Sequence, residues 1–265
     1  MKKTRPMRFF ASCFILCIGF FVSVPCLAQA PDSFLKNGEL DLEAVVKHFE
    51  DLYRSDSSIS AVELTVTRPR RTRTMTMKLW TRGRDKALIV IQEPAREAGT
   101  ATLKVDENLW NYMPRIKRTI RIPPSMMLAS WMGTDFTNDD LVREASYLDD
   151  YEYQLAGRSD EPAGWVVQFD AKPELIGLWS RIDLVLSEDG AIPLQARYYD
   201  RRGRLARTMR WEDVREFDGR RLPARMTLEP EDEEGHKTEM RYLAIQFDAD
   251  VPESTFSLSY LERQR

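Results

Sequence analysis

Hydrophobic positions along the chain follow two periods. Over residues 41–55 they recur at helical spacing: Leu42, Val45, Val46, Phe49, Leu52 and Tyr53 share one face. Glu43, Lys47, Glu50 and Asp51 fall on the other side. Asp41 suits the N-cap, and Leu40 is placed to pack on Val45. From Ile59 the period becomes two. Val62, Leu64 and Val66 alternate with polar neighbours, and so do Met75, Met77 and Leu79. Residues 82–85 read as a turn, 87–91 as a strand buried on both faces, and 99–105 and 109–113 as further strands. Alternation returns at Tyr151, Tyr153 and Leu155. A loop over 157–164 then leads to Trp165, Val167 and Phe169. The last third is the most regular. Five strands centred near Leu184, Ala196, Arg207, Ala224 and Tyr242 are separated by turn signals, of which Asp218-Gly219 is the strongest. This pattern predicts an antiparallel hairpin sheet with one wet face.

Residues 109–141 interrupt the pattern. The stretch opens with Trp110 and Tyr112 on one strand face and passes through Pro123-Pro124. It then gathers Met126, Met127, Leu128, Trp131 and Met132, followed by Phe136. A short helix is expected over 125–132. A second, over 138–145, would be capped by Thr137 with Asp140. Residues 173–179 read as a turn of helix or a loop. Methionine is flexible and polarisable, and suits surfaces that accept variable apolar shapes. Met75, Met77, Leu79, Trp80, Trp179, Met209 and Trp211 therefore join the interrupted stretch as candidate lining of an apolar cavity, with plain core filling as the alternative.

The composition leaves room for such a cavity. The chain has 265 residues, 43% of them hydrophobic and 31% charged. Lys2, Lys3, Arg5 and Arg8 precede an apolar run over 9–24, shorter than the ~20 residues a membrane span needs. This is the pattern of a signal peptide, residues 1–28, cleaved after Ala28. Pro25 argues against lipid anchoring at Cys26. All three cysteines, Cys13, Cys17 and Cys26, lie in that segment, so a processed chain has no disulfide or cysteine–metal chemistry. It would carry 35 basic residues against 42 acidic ones, a net charge of −7, which excludes a nucleic-acid partner. No linker divides 29–265, which reads as one domain, expected to be a monomer.

Catalytic and metal readings find little to rest on. His48 reads as a solvated boundary residue of the helix and His236 as a turn residue, without ligand spacing between them. Asp135, Asp139 and Asp140 admit an acid/base or cation role, but capping and helix-dipole compensation explain them. Neither an enzyme nor a bound cofactor is expected. Two basic clusters, Arg68, Arg70, Arg71, Arg73 and Arg115, Lys117, Arg118, Arg121, suit either contact with lipid headgroups or a partner, or a solvated strand edge.

Trp110, Tyr112, Pro114, the basic run 115–118, the segment 130–136 and Asp140-Leu141, together with 179–186 and Pro193, resemble the outer-membrane lipoprotein-sorting family with the LolA-like fold. The resemblance implies a mainly β protein with some α structure. Its sheet would be an incomplete, strongly curved antiparallel β-barrel covered by an N-terminal helix and short lid helices. It further implies a periplasmic carrier that holds acyl chains of a lipoprotein or lipid and delivers them to the outer membrane. An inner-membrane transporter or an outer-membrane acceptor would be its partner. The Met/Trp-rich segment 126–132, lying after two prolines, is the candidate lid. The alternative is a lipid-sensing accessory module bound to a membrane transporter.

Overall fold

The computed structural model describes residues 34–143, 147–175 and 179–263, with the side chains of Val142 and Arg143 left out. The chain divides into two units, Met1–Ala30 and Pro31–Arg265, and every described residue belongs to the second. The signal peptide, its cleavage site and Cys26 lie outside the described residues.

A two-stranded ribbon, β1 (Leu35–Lys36) and β2 (Glu39–Leu40), leads into helix α1 (Leu42–Asp51). Asp41 caps it as expected, its Oδ1 accepting from the Ala44 amide at 3.4 Å. The helix stops short of the expected end, because Arg54 N–H turns back to the Asp51 carbonyl. Six strands follow: β3 (Ser57–Arg68), β4 (Arg71–Arg82), β5 (Lys86–Glu93), β6 (Ala101–Val105), β7 (Asn108–Met113) and β8 (Arg118–Arg121). A crossover then carries a 3-10 turn, Pro124–Met126, and two short helices, α2 (Asn138–Arg143) and α3 (Tyr147–Asp150). The meander β9 (Tyr151–Asp160), β10 (Ala163–Ala171), β11 (Trp179–Leu186), β12 (Pro193–Asp200), β13 (Leu205–Phe217), β14 (Arg220–Pro230) and β15 (Lys237–Phe247) completes the strands. A 3-10 turn, Glu253–Phe256, and helix α4 (Leu258–Leu261) end the described chain.

Among the described residues, β3 to β15 form one thirteen-stranded sheet, all of it antiparallel, in the order β8-β7-β6-β5-β4-β3-β15-β14-β13-β12-β11-β10-β9. Its first and last strands in sequence, β3 and β15, pair in its centre, so β8 and β9 become its two edges and do not pair with each other. Register shifts at Thr76/Met77, Val166/Val167, Tyr198/Tyr199 and Tyr242/Ala244 bend the strands. The sheet is an incomplete, curved barrel. The crossover that links one edge to the other, described over 122–143 and 147–150, lies over its open side.

The inner face forms the main core. Val62, Leu64 and Val66 of β3, Phe169 of β10, Leu184 of β11 and Leu228 of β14 are fully or nearly fully buried there, with Val45 and Val46 of α1 against them. β5 is buried on both faces, as its unbroken apolar run predicts. Ile89 and Ile91 join the main core, whereas Leu88 and Val90 face outward. There they pack with Ala101, Leu103 and Tyr112 under Val251, Phe256 and Leu261 of the C-terminal tail. The outer face is thus dry over β5–β7.

Three other expectations change. β9 runs through Gly157 to Asp160, so the expected loop over 157–164 shrinks to a tight turn. The helix expected over 125–132 is a single 3-10 turn followed by irregular chain, in which the Met127 and Ala129 carbonyls accept from the Asp139 and Asn138 amides instead of from a following helical turn. Glu50, expected on the wet side of α1, is buried: it accepts from the Leu148 amide at 2.7 Å and meets Arg84 at 3.0 Å.

α1 seats against the β11–β12 turn. His48 Nε2 lies 2.9 Å from the Ala191 carbonyl, and its ring packs on Phe34, so it is not simply solvated. Gly190 has φ +76°, and a Cβ there would stand 2.7 Å from Leu40 Cδ1 and 3.1 Å from Val45 Cγ2. Gly203 has a similar φ but open space around it. Replacing either with alanine meets backbone strain of about 1–2 kcal/mol. Gly190→Ala should cost a further ~1–3 kcal/mol by crowding the helix seat. Urea unfolding of the two variants side by side measures that difference.

Candidate functional site: a covered apolar cavity

Between the inner face and its cover the structure leaves a cavity of about 250 Å³. This is near the lower end of the ~300–1,000 Å³ usual for small-molecule sites. Leu64, Met77, Leu79 and Ile89 line it from one half of the sheet, and Met209, Trp211, Met226 and Met240 from the other. Phe49 of α1 and Tyr53 in the turn after it, then Trp131, Phe136 and Leu141 of the crossover, cover it. Polar groups also reach it, among them Glu50, Lys104, Asp140 and Arg207.

Of the residues singled out in the sequence, the fold brings seven to the cavity: Met77, Leu79, Trp131, Phe136, Trp179, Met209 and Trp211. Met75 is buried in the core but is not part of the lining. Trp80, Trp110 and Tyr112 belong to the outer-face cluster. Strand alternation requires this: with Leu79 and Leu109 at the cavity, their neighbours Trp80 and Trp110 must point the other way. Met126 and Leu128 point to solvent. Met127 is half-buried, and Met132 packs on the core from outside the lining. The expected lid is therefore split, with Trp131 inward and the methionines largely outward. Phe49, Tyr53, Leu64, Met226 and Met240 were not among the candidate lining residues. Their signal was present in the apolar stripe of α1 and in the inward parity of β3, β14 and β15.

Trp131 is 4% exposed and its position is fixed. Its Nε1–H donates to Thr102 Oγ1 at 3.0 Å, and that hydroxyl donates to Asn111 Oδ1 at 2.7 Å. The 130–137 turn is closed by Trp131 N–H to the Phe136 carbonyl at 2.8 Å. Asp135 then ties this turn to the sheet. Its carboxylate receives Arg68 at 3.0 Å and the Thr238 hydroxyl at 2.6 Å. Arg68 also donates to the Gly133 carbonyl, and Arg73 to that of Met132. Two of the four cations in the first basic cluster thus hold the crossover, and Arg70 and Arg71 stay exposed.

A second tie lies at the cavity itself. Asp140 completes the expected capping pair: its carboxylate accepts from the Thr137 amide at 2.8 Å, and the Asp140 amide donates to Thr137 Oγ1 at 3.1 Å. The same carboxylate receives both terminal nitrogens of Arg207, at 2.7 and 2.8 Å. Arg207 is 5% exposed and lies over the rings of Trp179 and Tyr198, at 4.2 and 4.4 Å. Burial alone would push the Asp140 carboxyl up. The charge and hydrogen bonds of Arg207, with those of Thr137, outweigh it and hold the group below its usual range. Burial raises the Tyr147 hydroxyl well above its ordinary value, and Tyr198 beside it adds to that rise. The sequence marked Asp140 as a cap and gave no sign of Arg207, which is 67 residues distant.

Ligand atoms of Asp135, Glu233 and His236 come within 4.8 Å of one another, a grouping that sequence spacing does not reveal. Arg68 and Thr238 already occupy the Asp135 carboxylate, and His236 meets Glu233, so the group serves to anchor the turn. The second basic cluster lies on the β7–β8 turn and on β8, away from the cavity lining. No helix among the described residues is long and apolar enough to cross a membrane.

A family model described as "-like: Uncharacterized protein" matches residues 83–263. The chain belongs to this family. No curated protein matches it in sequence. Three solved structures resemble the family member described here. A DUF1329 family protein from Desulfovibrio piger superposes with a TM-score of 0.75 at 25% identity, over 83% of this chain and 96% of that one. A domain named for outer membrane lipoprotein sorting, from Vibrio parahaemolyticus, gives 0.72 at 21%, over 84% and 98%. A LolA superfamily protein from Nitrosomonas europaea gives 0.69 at 22%, over 82% and 98%. These likenesses establish the LolA-like fold.

Because the folded Asp140 titrates below its unfolded value of about 3.9, its stabilising effect is fully present above that pH. It is lost as pH falls through the folded value. Asp140→Asn should therefore destabilise the protein at pH 7, and the gap from wild type should close in stronger acid. Arg207→Leu, which strands the carboxylate, should cost ~3–5 kcal/mol at pH 7. Urea unfolding of the three proteins at both pH values checks both statements.

Proposed function

We infer that the protein is a periplasmic carrier that takes acyl chains of a lipoprotein or lipid into the covered cavity and moves them through the periplasm to the outer membrane. The observation that carries this reading is the cavity itself. Large, soft side chains line a space that the protein does not fill, and one amphipathic helix and one crossover cover it. Each methylene transferred there from water gains ~0.8 kcal/mol, so even a partly inserted chain is held. Its modest volume suits a thin hydrocarbon and requires the crossover to shift for anything bulkier. The names of two structural neighbours, one for lipoprotein sorting and one for LolA, accord with this role. In this reading no bond is made or broken, and the polar groups at the cavity hold the cover.

A second reading, a lipid-sensing module bound to a membrane transporter, draws support from the two ties on the crossover, Arg68–Asp135 and Asp140–Arg207. A cover fastened at two points suits slow exchange better than rapid delivery.

Gently purified protein, extracted with organic solvent, should yield stoichiometric lipid by mass spectrometry. Leu79→Trp and Met209→Trp, which fill the cavity from opposite halves of the sheet, should lower that yield at least tenfold while thermal unfolding stays cooperative. An empty wild-type protein that captures a single membrane partner would favour the sensor. Unchanged lipid in both tryptophan variants would remove the cavity from the account.

A further inference from the structure

The β8 edge and the chain leaving it present a surface that the cavity does not use. Residues 114–134 contain Arg115, Lys117, Arg118 and Arg121 but no acidic residue, in a chain of formal net charge −3. All four cations are exposed. Among the described residues none of them forms an ion pair, whereas Arg68, Arg73, Arg82, Arg84 and Lys86 on nearby strands each meet a carboxylate. Interleaved with them are Ile116 and Ile120, 58% and 44% exposed, and beyond the prolines Met126 and Leu128, 49% and 53% exposed.

The apolar side chains are displayed by a fixed backbone. The Met126 carbonyl accepts from Asn138 Nδ2 at 3.0 Å, the Met127 carbonyl from the Asp139 amide at 2.8 Å, and the Ala129 carbonyl from the Asn138 amide at 3.0 Å. Their place in the sheet is equally defined. Arg118 pairs with Met113 and Ile120 with Asn111, so both stand on the face that Leu109 turns to the cavity. Since β8 is an edge strand, this face forms one rim of the opening that the crossover covers.

Apolar side chains set among cations of one sign complement the surface of an anionic bilayer: the cations meet headgroups while the apolar groups enter the layer beneath. A protein strand adding to the same edge is the competing occupant. Lysine and arginine on an edge oppose strand addition, and β8 offers only four residues. We propose that Arg115, Lys117 and Arg118 with Ile120, Met126 and Leu128 form a lip that seats the opening of the cavity on an anionic phospholipid membrane; Arg121, paired with Trp110, stands on the outer face and takes no part. For its purpose this rests on the carrier reading, because the lip sets the opening against the source or destination of the chain.

The full-length processed protein is sedimented with vesicles of phosphatidylcholine, with and without phosphatidylglycerol. Wild type is expected to bind the anionic vesicles and to be released by salt. The triple variant Arg115→Gln/Lys117→Gln/Arg118→Gln should bind about a hundredfold more weakly. Ile120→Ser/Leu128→Ser should lose about tenfold or more. All five positions are exposed, so each variant should melt like wild type. Equal binding to both vesicle types, binding to neither, or full binding by the charge variant overturns the lip; binding to neither leaves strand addition by a protein as the use of this edge. Displacement of a fluorescent fatty acid from the same proteins without vesicles should be equal in all three. Loss of vesicle binding with intact displacement therefore reports on the lip. Absent displacement with intact vesicle binding sinks the carrier reading and leaves the lip standing.

Discussion

The antiparallel pairing of β3 with β15 is the constraint from which the rest follows. Ten residue pairs, from Lys237 with Thr67 to Phe247 with Ser58, join the first long strand of the sequence to the last. Once these two meet in the centre, the middle of the chain has to supply both edges. The link between β8 and β9 must then travel from one margin of the sheet to the other. Curvature brings the margins close enough for a short crossover to span them. The cavity, its cover and the rim at β8 all result from that one pairing.

The cover carries charge because it must be held in one place without filling the space below. An apolar crossover packed fully onto the inner face would close the cavity. Buried ion pairs add little net stability compared with well-packed apolar residues, since desolvation offsets their attraction. They do fix geometry. Arg207 reaches Asp140 from β13 and Arg68 reaches Asp135 from β3, so the crossover is positioned from both halves of the sheet.

Much of this architecture was legible in the sequence. Helical spacing located α1, and period-two alternation located most strands. The unbroken run 87–91 correctly announced a strand buried on both sides. What the pattern could not supply was the side of the sheet. Trp80 beside Leu79, and Trp110 beside Leu109, are equally apolar in sequence, and only the path of the C-terminal tail decides which of each pair faces the cavity. Long-range partners were equally hidden. Glu50 looks solvated on a helical wheel until Leu148 and Arg84 arrive from distant segments, and Asp140 looks like a cap until β13 delivers Arg207. The weak edge strand β8 was missed because cations fill a position pattern that is otherwise read from apolar residues.

The C-terminal tail gives the two halves of the sheet different mechanical characters. Over β5–β7 the strands are clamped between two apolar layers, with Phe256 and Leu261 pressing from outside. Over β10–β12 the outside is a single wet layer in which Arg181 meets Asp183 and lies over Tyr199. Bending is resisted far more by a three-layer laminate than by a sheet backed on one side. The clamped half is therefore the stiffer frame, and the half that ends in β9 is the more easily bent. On the carrier reading, a guest would pass the more pliable margin at β9, against a wall stiffened from outside.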